Sequence, residues 1–151
     1  MSDVLAPVAG LVRPLADVPD PVFAAEMVGA GVAIEPSGGT SEAVSPVAGT
    51  LIKLHPHAYV VVTAEGAGVL VHLGIDTVQL EGEGFTTHVA EGDRVEVGQK
   101  IITYDVPAVE ATGRNPIVPV LVMERKADGI AFSDAIMSDQ VAALDNLFTT
   151  R

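Results

Sequence analysis

The sequence predicts an all-β protein, an antiparallel β-sandwich or barrel with one or two short helices. Valine-rich runs of about five to eight residues alternate with turn signals such as Pro36-Ser37-Gly38-Gly39. Apolar residues make up 48% of the chain and aromatic residues only 4%, so valine, leucine, isoleucine and alanine must build the core. A motif also repeats, as "APVAGLVRPL" from Ala6 and "SPVAGTLIKL" from Ser45. The repeat suggests duplicated β units.

The elements follow from these runs in chain order. The candidate strands are 10–15, 31–35, 49–55, 58–64, 68–74, 85–89, 100–105 and 117–123. A first short helix is predicted from the N-cap Asp20, with Pro21 at its first position, to Gly29. A second is predicted after Asp105 and ends by Gly113.

The C-terminal tail from Ser133 has a pattern that fits either a helix or a strand. No linker rich in Pro, Gly or Ser divides the 151 residues. We therefore expect one domain over residues 1–151.

Composition excludes several classes of function. The formal net charge is −12 with only eight Lys and Arg residues, which argues against nucleic acid and against an anionic membrane surface. No apolar run is long enough for a membrane span, and the N-terminus does not resemble a signal peptide. The absence of cysteine removes thiol chemistry and fits the cytoplasm. Any chemistry must come from His, Asp, Glu, Ser or Thr.

Two histidines are predicted to meet on one β-hairpin. The strands on either side of a glycine-rich turn should pair antiparallel. If Thr63 pairs with Gly68, Tyr59 lies opposite His72, and His57 is a diagonal neighbour of His72 on the same face. A pair of rings on one face favours a functional site over simple core packing.

Two chemistries suit this pair, and spacing alone leaves both open. In the first, His72 is a nucleophile toward phosphorus and the second ring stabilises the phosphoryl oxygens. In the second, His57, His72 and Asp76 hold zinc, with one position open for water. By strand alternation Asp76 would lie on the same face as the two histidines, and Gly74 would let the strand bend and bring Asp76 near them. His55 is a weaker candidate.

Three stretches carry a family resemblance: "LVHLGIDTVQLEGEGFTTHVAEGDRVEVGQKIITYD", preceded by "DVPDPVFAAEMVGAGVAIEPSGG" and "PVAGTLIKLHPHAYVV". Through these stretches the chain resembles the glucose-type enzyme IIA of the bacterial sugar phosphotransferase system. The resemblance covers residues from about Val4 to Val122 and is weak over the last 25 residues. It implies a β-sandwich with duplicated hybrid motifs.

The resemblance also implies a function and its residues. The phosphocarrier protein HPr would phosphorylate His72, His57 would stabilise the phosphoryl group, and a sugar-specific IIB/IIC permease would receive it during uptake of glucose-type or N-acetylglucosamine-type sugars. No cofactor is implied, and no direct sugar binding, because the partners are proteins; regulatory protein targets are a further option. Acidic residues of the partner-facing rim correspond to Asp20 and Asp76. Its apolar residues correspond to Val22, Phe23, Met27, Val28 and Val78.

One position departs from the family. Relatives often carry threonine two residues before the second histidine, where this chain has His55, so His55 is expected to support that ring. The zinc alternative also has a family argument, because "HPH" at 55–57 and "HLGID" at 72–76 resemble the zinc motifs of lysostaphin-like peptidases in inverted order. A regulatory binding module without chemistry would explain the apolar rim but not the paired histidines.

Overall fold

The computed structural model describes residues 2–126, 129–132 and 140–150. It is built mostly from antiparallel strands with a few short helices, as predicted. Within the described ranges the strands are β1 Asp3–Leu5, β2 Gly10–Pro14, β3 Gly29–Pro36, β4 Thr40–Val44, β5 Gly49–His55, β6 Ala58–Val62, β7 Gly68–His72, β8 Phe85–Thr87, β9 Arg94–Val95, β10 Lys100–Asp105, β11 Val118–Met123, β12 Ile130–Phe132, β13 Gln140–Val141 and β14 Asn146–Thr150. The helices are α1 Pro21–Ala24 and α2 Val106–Ala111, with 3-10 turns at Leu15–Asp17 and Thr77–Leu80.

The strands form three sheets. An eight-stranded sheet has the order β13-β2-β3-β11-β7-β6-β5-β9, and two three-stranded sheets have the orders β4-β10-β8 and β1-β14-β12. All eight predicted strands are present within a few residues of their predicted bounds. Of the ambiguous tail, residues 133–139 lie outside the described ranges, and β13 and β14 follow them.

The two sequence repeats contact each other reciprocally. The backbone N–H of Leu5 donates to the carbonyl of Pro46 at 3.0 Å, and the N–H of Val44 donates to the carbonyl of Pro7 at 3.0 Å. Each Pro-Val-Ala-Gly motif leads into a strand of the large sheet, β2 in one case and β5 in the other. The repeats therefore occupy related places in the fold.

The core divides into two parts. The larger cluster is rich in valine and contains the buried rings of Tyr59, Tyr104 and Phe148. A smaller cluster beside α1 packs Phe23 against Ile75 and Leu121, among others. This second cluster connects α1 to the segment that follows β7, and it lies next to His72.

Helix α1 is shorter than predicted, whereas α2 lies close to its predicted position. Asp20 caps α1 through its carboxylate, which accepts from the N–H of Val22 at 2.9 Å, but the helix ends at Ala24 rather than near Gly29. Glu26 adopts a left-handed conformation with φ 56°, which stops the helix. Helix α2 starts at its N-cap Asp105, as expected. No helix in the described ranges is long and apolar enough to span a membrane.

Candidate functional site

The rings of His57 and His72 meet, but not by the predicted route. Residue pairing between β6 and β7 places Ala58 opposite His72, whereas the sequence analysis placed Tyr59 there. The register prediction was therefore wrong by one residue. His57 lies in the turn between β5 and β6, outside the alternation of the strands, and its ring reaches across to His72. The ring centroids are 5.1 Å apart with an interplanar angle of 73°.

The turn that carries His57 is tied to the end of β7. The backbone N–H of Leu73 donates to the carbonyl of His57 at 2.7 Å. This hydrogen bond continues the ladder one step beyond the last strand pair, so the position of His57 relative to His72 is set by backbone.

A backbone carbonyl decides the tautomer of His72. Nδ1 of His72 lies 2.6 Å from the carbonyl oxygen of Gly74. A carbonyl only accepts hydrogen bonds, so Nδ1 must carry the proton, and in the neutral ring Nε2 keeps its lone pair. Gly74 has φ +83°, a left-handed conformation that bends the chain after β7 so that its carbonyl faces back to the ring.

The bend at Gly74 is held by the segment that precedes β11, which sequence reasoning did not connect to the site. The N–H of Gly74 donates to the carbonyl of Ile117 at 3.1 Å, and the N–H of Ile75 donates to the carbonyl of Asn115 at 2.9 Å. The hydroxyl of Thr77 donates to the carbonyl of Leu73 at 2.8 Å. No short motif signals the two backbone contacts, because they join segments about forty residues apart.

An aromatic ring also packs against His72. The ring of Phe23 lies 5.1 Å from it, centroid to centroid, at an interplanar angle of 57°. Phe23 is only 9% exposed, because it also belongs to the smaller core cluster. Phe23 and His57 both contact the imidazole of His72 and so restrict its orientation.

Burial keeps both rings neutral near pH 7. Desolvation, followed by the neighbouring His72 and His55 rings, lowers the pKa of His57 to about 4. The pKa of His72 is also lowered, again by desolvation first, although its hydrogen bond to Gly74 and the charges of Asp20 and Asp76 act in the opposite direction. His72 is therefore a neutral imidazole whose Nε2 keeps its lone pair.

His55 joins the pair because β5 contains a bulge. The pairing of β5 with β6 shifts by one between Leu51 and Lys53, which puts His55 opposite Ala58 and so on the face of His72. The His55 ring stacks on His57 with centroids 5.8 Å apart and an interplanar angle of 21°. The rings of His55, His57 and His72 are therefore in contact in that order.

The histidines border an open groove of about 310 Å³ on the outer face of the large sheet. The groove is lined by Lys53, His55, His57, Ala58, Tyr59, Val60, Leu70 and His72. A larger cavity of about 440 Å³ lies near the opposite end of the β6–β7 hairpin, beside Thr63 and Glu65, and none of the four histidines lines it.

The proposed rim residues differ in how much surface they offer. Met27 is 73% exposed, Val78 is 62% exposed and Val22 is 44% exposed, so a partner could contact all three. Val28 is only half-buried and packs against the smaller core cluster. Asp76 is exposed and has φ 60°, at the start of the 3-10 turn that bears Val78. These side chains leave an apolar patch with acidic members beside His72.

The zinc alternative finds no support in this geometry. Within residues 2–126, 129–132 and 140–150, no group of three His, Asp or Glu side chains is placed to hold a metal ion. The set of His57, His72 and Asp76 therefore does not converge as zinc ligands would.

Comparison with known proteins identifies the family. The model of the phosphoenolpyruvate-dependent sugar phosphotransferase system, EIIA 1, matches residues 2–127. The chain belongs to this EIIA family. The EIIA component is a phosphotransferase that carries phosphoryl groups in sugar transport, which confirms the function class that the resemblance implied.

EIIA relatives include both short chains and parts of long ones. The glucose-specific EIIA component of Oceanobacillus iheyensis is 46% identical over 121 residues, which span 79% of this chain and 72% of the relative. A glucose-specific EIICBA component of Streptococcus pneumoniae is 50% identical over 107 residues, 70% of this chain but 14% of that much longer protein.

A solved EIIA structure has the same fold. The glucose permease IIA from Mycoplasma capricolum superposes with a TM-score of 0.85 at 31% identity, over 97% of this chain and 93% of that one. The predicted all-β class is therefore confirmed.

Proposed function

We propose that His72 accepts a phosphoryl group from the phosphohistidine of HPr and passes it to a sugar-specific IIB protein or domain. The observation that carries this proposal is the hydrogen bond from Nδ1 of His72 to the carbonyl of Gly74, which leaves the Nε2 lone pair free. The EIIA family supplies the reaction class.

The transfer balances as a displacement at phosphorus. Nε2 of His72 attacks in line with the donor's P–N bond, a new N–P bond forms, and the electron pair of the broken bond returns to the donor ring. The next transfer repeats the exchange with His72 as the leaving group. The chain contributes position and charge stabilisation, since the lowered pKa of His72 keeps the ring neutral and its attacking Nε2 unprotonated.

His57 has a different role in this proposal. Its ring meets that of His72 edge to face, so an N–H of His57 can donate to a phosphoryl oxygen held on Nε2. His55 supports His57 by stacking on it. Both rings bring donors to the site without adding a negative charge.

The two carboxylates near His72 require an explanation, because a phosphoryl group is itself anionic. We assign Asp20 and Asp76 to pairing with a cationic residue of the partner, next to the exposed apolar side chains of Val22, Met27 and Val78. Replacing both acids with asparagine should slow transfer from HPr and flatten its salt dependence. An unchanged rate and an unchanged salt slope would contradict this role.

The wider context of the reaction is part of the same proposal. Relatives named glucose-specific EIICBA and beta-glucoside-specific EIIBCA support a sugar permease as the acceptor and a sugar of the glucose type. The N-acetylglucosamine type is implied only by the family resemblance. Dependence on phosphoenolpyruvate, a glycolytic intermediate, supports the cytoplasm. Pairing of β13 and β14 with β2 and β1 supports one domain over residues 1–151.

Substitution of each histidine tests the assignment. The His72→Gln chain should gain no phosphoryl group from phosphoenolpyruvate, enzyme I and HPr, because an amide nitrogen is not a nucleophile. The His57→Gln chain keeps a donor and should still be labelled at His72, at an altered rate. Labelling of His72→Gln, measured by intact mass on a folded protein, would overturn the site. Complete loss in both variants would contradict the unequal roles.

A further inference from the structure

Arg114 connects the segment before β11 to the segment after His72. Its Nε donates to the backbone carbonyl of Asp76 at 3.2 Å, and its Nη2 donates to Oε1 of Gln79 at 2.8 Å. These two nitrogens lie on one edge of the planar guanidinium, so a single side chain spans both acceptors. The two acceptors are the residues at the start and near the end of the 3-10 turn Thr77–Leu80.

Backbone contacts place Arg114 next to this 3-10 turn. After α2, Gly113 takes φ +85° and reverses the chain. The next residues then pair with the segment that follows β7, through the bonds from Ile75 to Asn115 and from Gly74 to Ile117. Arg114 extends the same contact outward, past the end of the backbone pairing.

The turn needs this support for a local reason. Asp76 is a non-glycine residue at φ 60°, a conformation that an L-residue adopts at a cost. Its carbonyl already accepts from the N–H of Gln79 at 3.2 Å, a distance at the long end for such a bond. The bond from Arg114 adds a charged donor to the same oxygen, and a second contact holds the side chain of Gln79.

We propose that Arg114 is a positioning residue for partner docking: it clamps the 3-10 turn so that Asp76 and Val78 are presented beside His72. This inference rests on the proposed function, because docking is measured through transfer from phospho-HPr. Among the described residues, Arg114 donates its hydrogen bonds to Asp76 and Gln79 and not to His72.

The clamp predicts a particular kinetic change. In Arg114→Gln the 3-10 turn is no longer held, so the turn must become ordered each time phospho-HPr binds. This ordering should raise the KM for phospho-HPr roughly two- to tenfold. Contacts that are equal before and during transfer affect KM and not kcat, so kcat should stay within about twofold. A variant that is merely misfolded would instead lose kcat in proportion to the inactive fraction, at an unchanged KM.

Three further variants separate a clamp from a simple charge. Arg114→Lys keeps the charge but offers one point donor that cannot span both acceptors, so it should restore KM only in part. Gln79→Leu keeps the cation and removes one anchor, so KM should rise less than in Arg114→Gln. Arg13→Gln is the matched control, because Arg13 pairs through its Nε with Glu35 at 3.0 Å on the surface of β2; its KM should not change.

Amide hydrogen exchange of Gln79 gives a readout that does not depend on transfer. Its N–H shares the Asp76 carbonyl with Arg114, so exchange should accelerate in Arg114→Gln and stay unchanged in Arg13→Gln. If Gln79 exchanged faster in Arg114→Gln but HPr did not phosphorylate the unsubstituted chain, the clamp would stand and the proposed function would be wrong. Normal labelling with unchanged KM and unchanged exchange would overturn the clamp. Full rescue by lysine, with no effect of Gln79→Leu, would also overturn it in favour of a charge effect.

Discussion

Replacing Gly74 with alanine tests how the tautomer of His72 is enforced. Gly74 has φ +83°, and its carbonyl accepts from Nδ1 of His72. A Cβ at this position would lie 2.6 Å from Cγ2 of Thr77 and 3.1 Å from the hydroxyl of Tyr104. Both neighbours are buried and hydrogen-bonded, so neither can move freely. The substitution therefore adds a steric clash to a strained backbone.

The expected loss of stability follows from these two terms. The left-handed conformation costs an alanine about 1–2 kcal/mol. Overpacking of a well-filled site costs about 1–3 kcal/mol more. We expect Gly74→Ala to lower the free energy of unfolding by about 2–5 kcal/mol, a large share of the total for a domain of this size.

Gly66 is a matched control that separates the steric cost from the backbone cost. Gly66 has φ +89° but no atom within 4 Å of the added Cβ, so Gly66→Ala carries the backbone cost alone. Urea unfolding of the two variants should differ by the steric part, at similar m-values. If Gly74→Ala lost no more stability than Gly66→Ala, the packing around this bend would not be as tight as the structure indicates. In folded Gly74→Ala, nitrogen NMR should also find His72 with a mixed tautomer.

Three other predictions concern the site and its rim. The pKa of His57 is about 4 in the folded chain against 6.5 when free, so the unfolded chain takes up the proton first as pH falls. The free energy of unfolding should decrease from about pH 6.5 to about pH 4, and the His57 share of that decrease is about 1 kcal/mol once solvent screening of the half-exposed ring is discounted. His57→Gln should reduce the slope and leave the part that the lowered pKa of His72 contributes; an equal slope in both chains would contradict this. Asp20→Ala should cost about 1 kcal/mol of stability by urea unfolding while Asp20→Asn, which keeps a cap, costs much less; equal losses would refute the capping role. Met27→Ser and Val78→Ser should leave stability within about 0.5 kcal/mol yet raise the KM for phospho-HPr, and an unchanged KM would remove them from the docking surface.

Much of the fold could be predicted because its strands are local and rich in valine. The eight predicted strands all exist, Asp20 caps the helix that it was expected to cap, and the second helix follows Asp105 as predicted. The strands that were missed are short or polar, such as β4 with the sequence "TSEAV" and the two-residue β9. Their strand conformation comes from pairing with distant segments, and local sequence carries no signal of that pairing.

The meeting of two histidine rings was predicted, but its geometry was not. The contact of His57 with His72 could be expected because the two histidines flank a hairpin, yet the predicted register was wrong because Val62, rather than Thr63, pairs with Gly68. A bulge between Leu51 and Lys53 brings His55 to the face of His72. No glycine or proline at the bulge indicates it in the sequence. The contact of Arg114 with the turn after His72 joins residues 38 apart in the chain, and no spacing rule anticipates it.

The central claim is that Nε2 of His72 carries the phosphoryl group, and nitrogen NMR of the phosphorylated chain tests it most directly. The chain is incubated with phosphoenolpyruvate, enzyme I and HPr, and intact mass first establishes a gain of one phosphoryl group that is labile to acid and stable to base. Long-range proton–nitrogen correlation then assigns the modified nitrogen. We predict Nε2 of His72 as the phosphorylated atom, with Nδ1 still protonated and bound to the carbonyl of Gly74. A phosphoryl group on Nδ1, on another histidine, or on no residue at all would contradict the account.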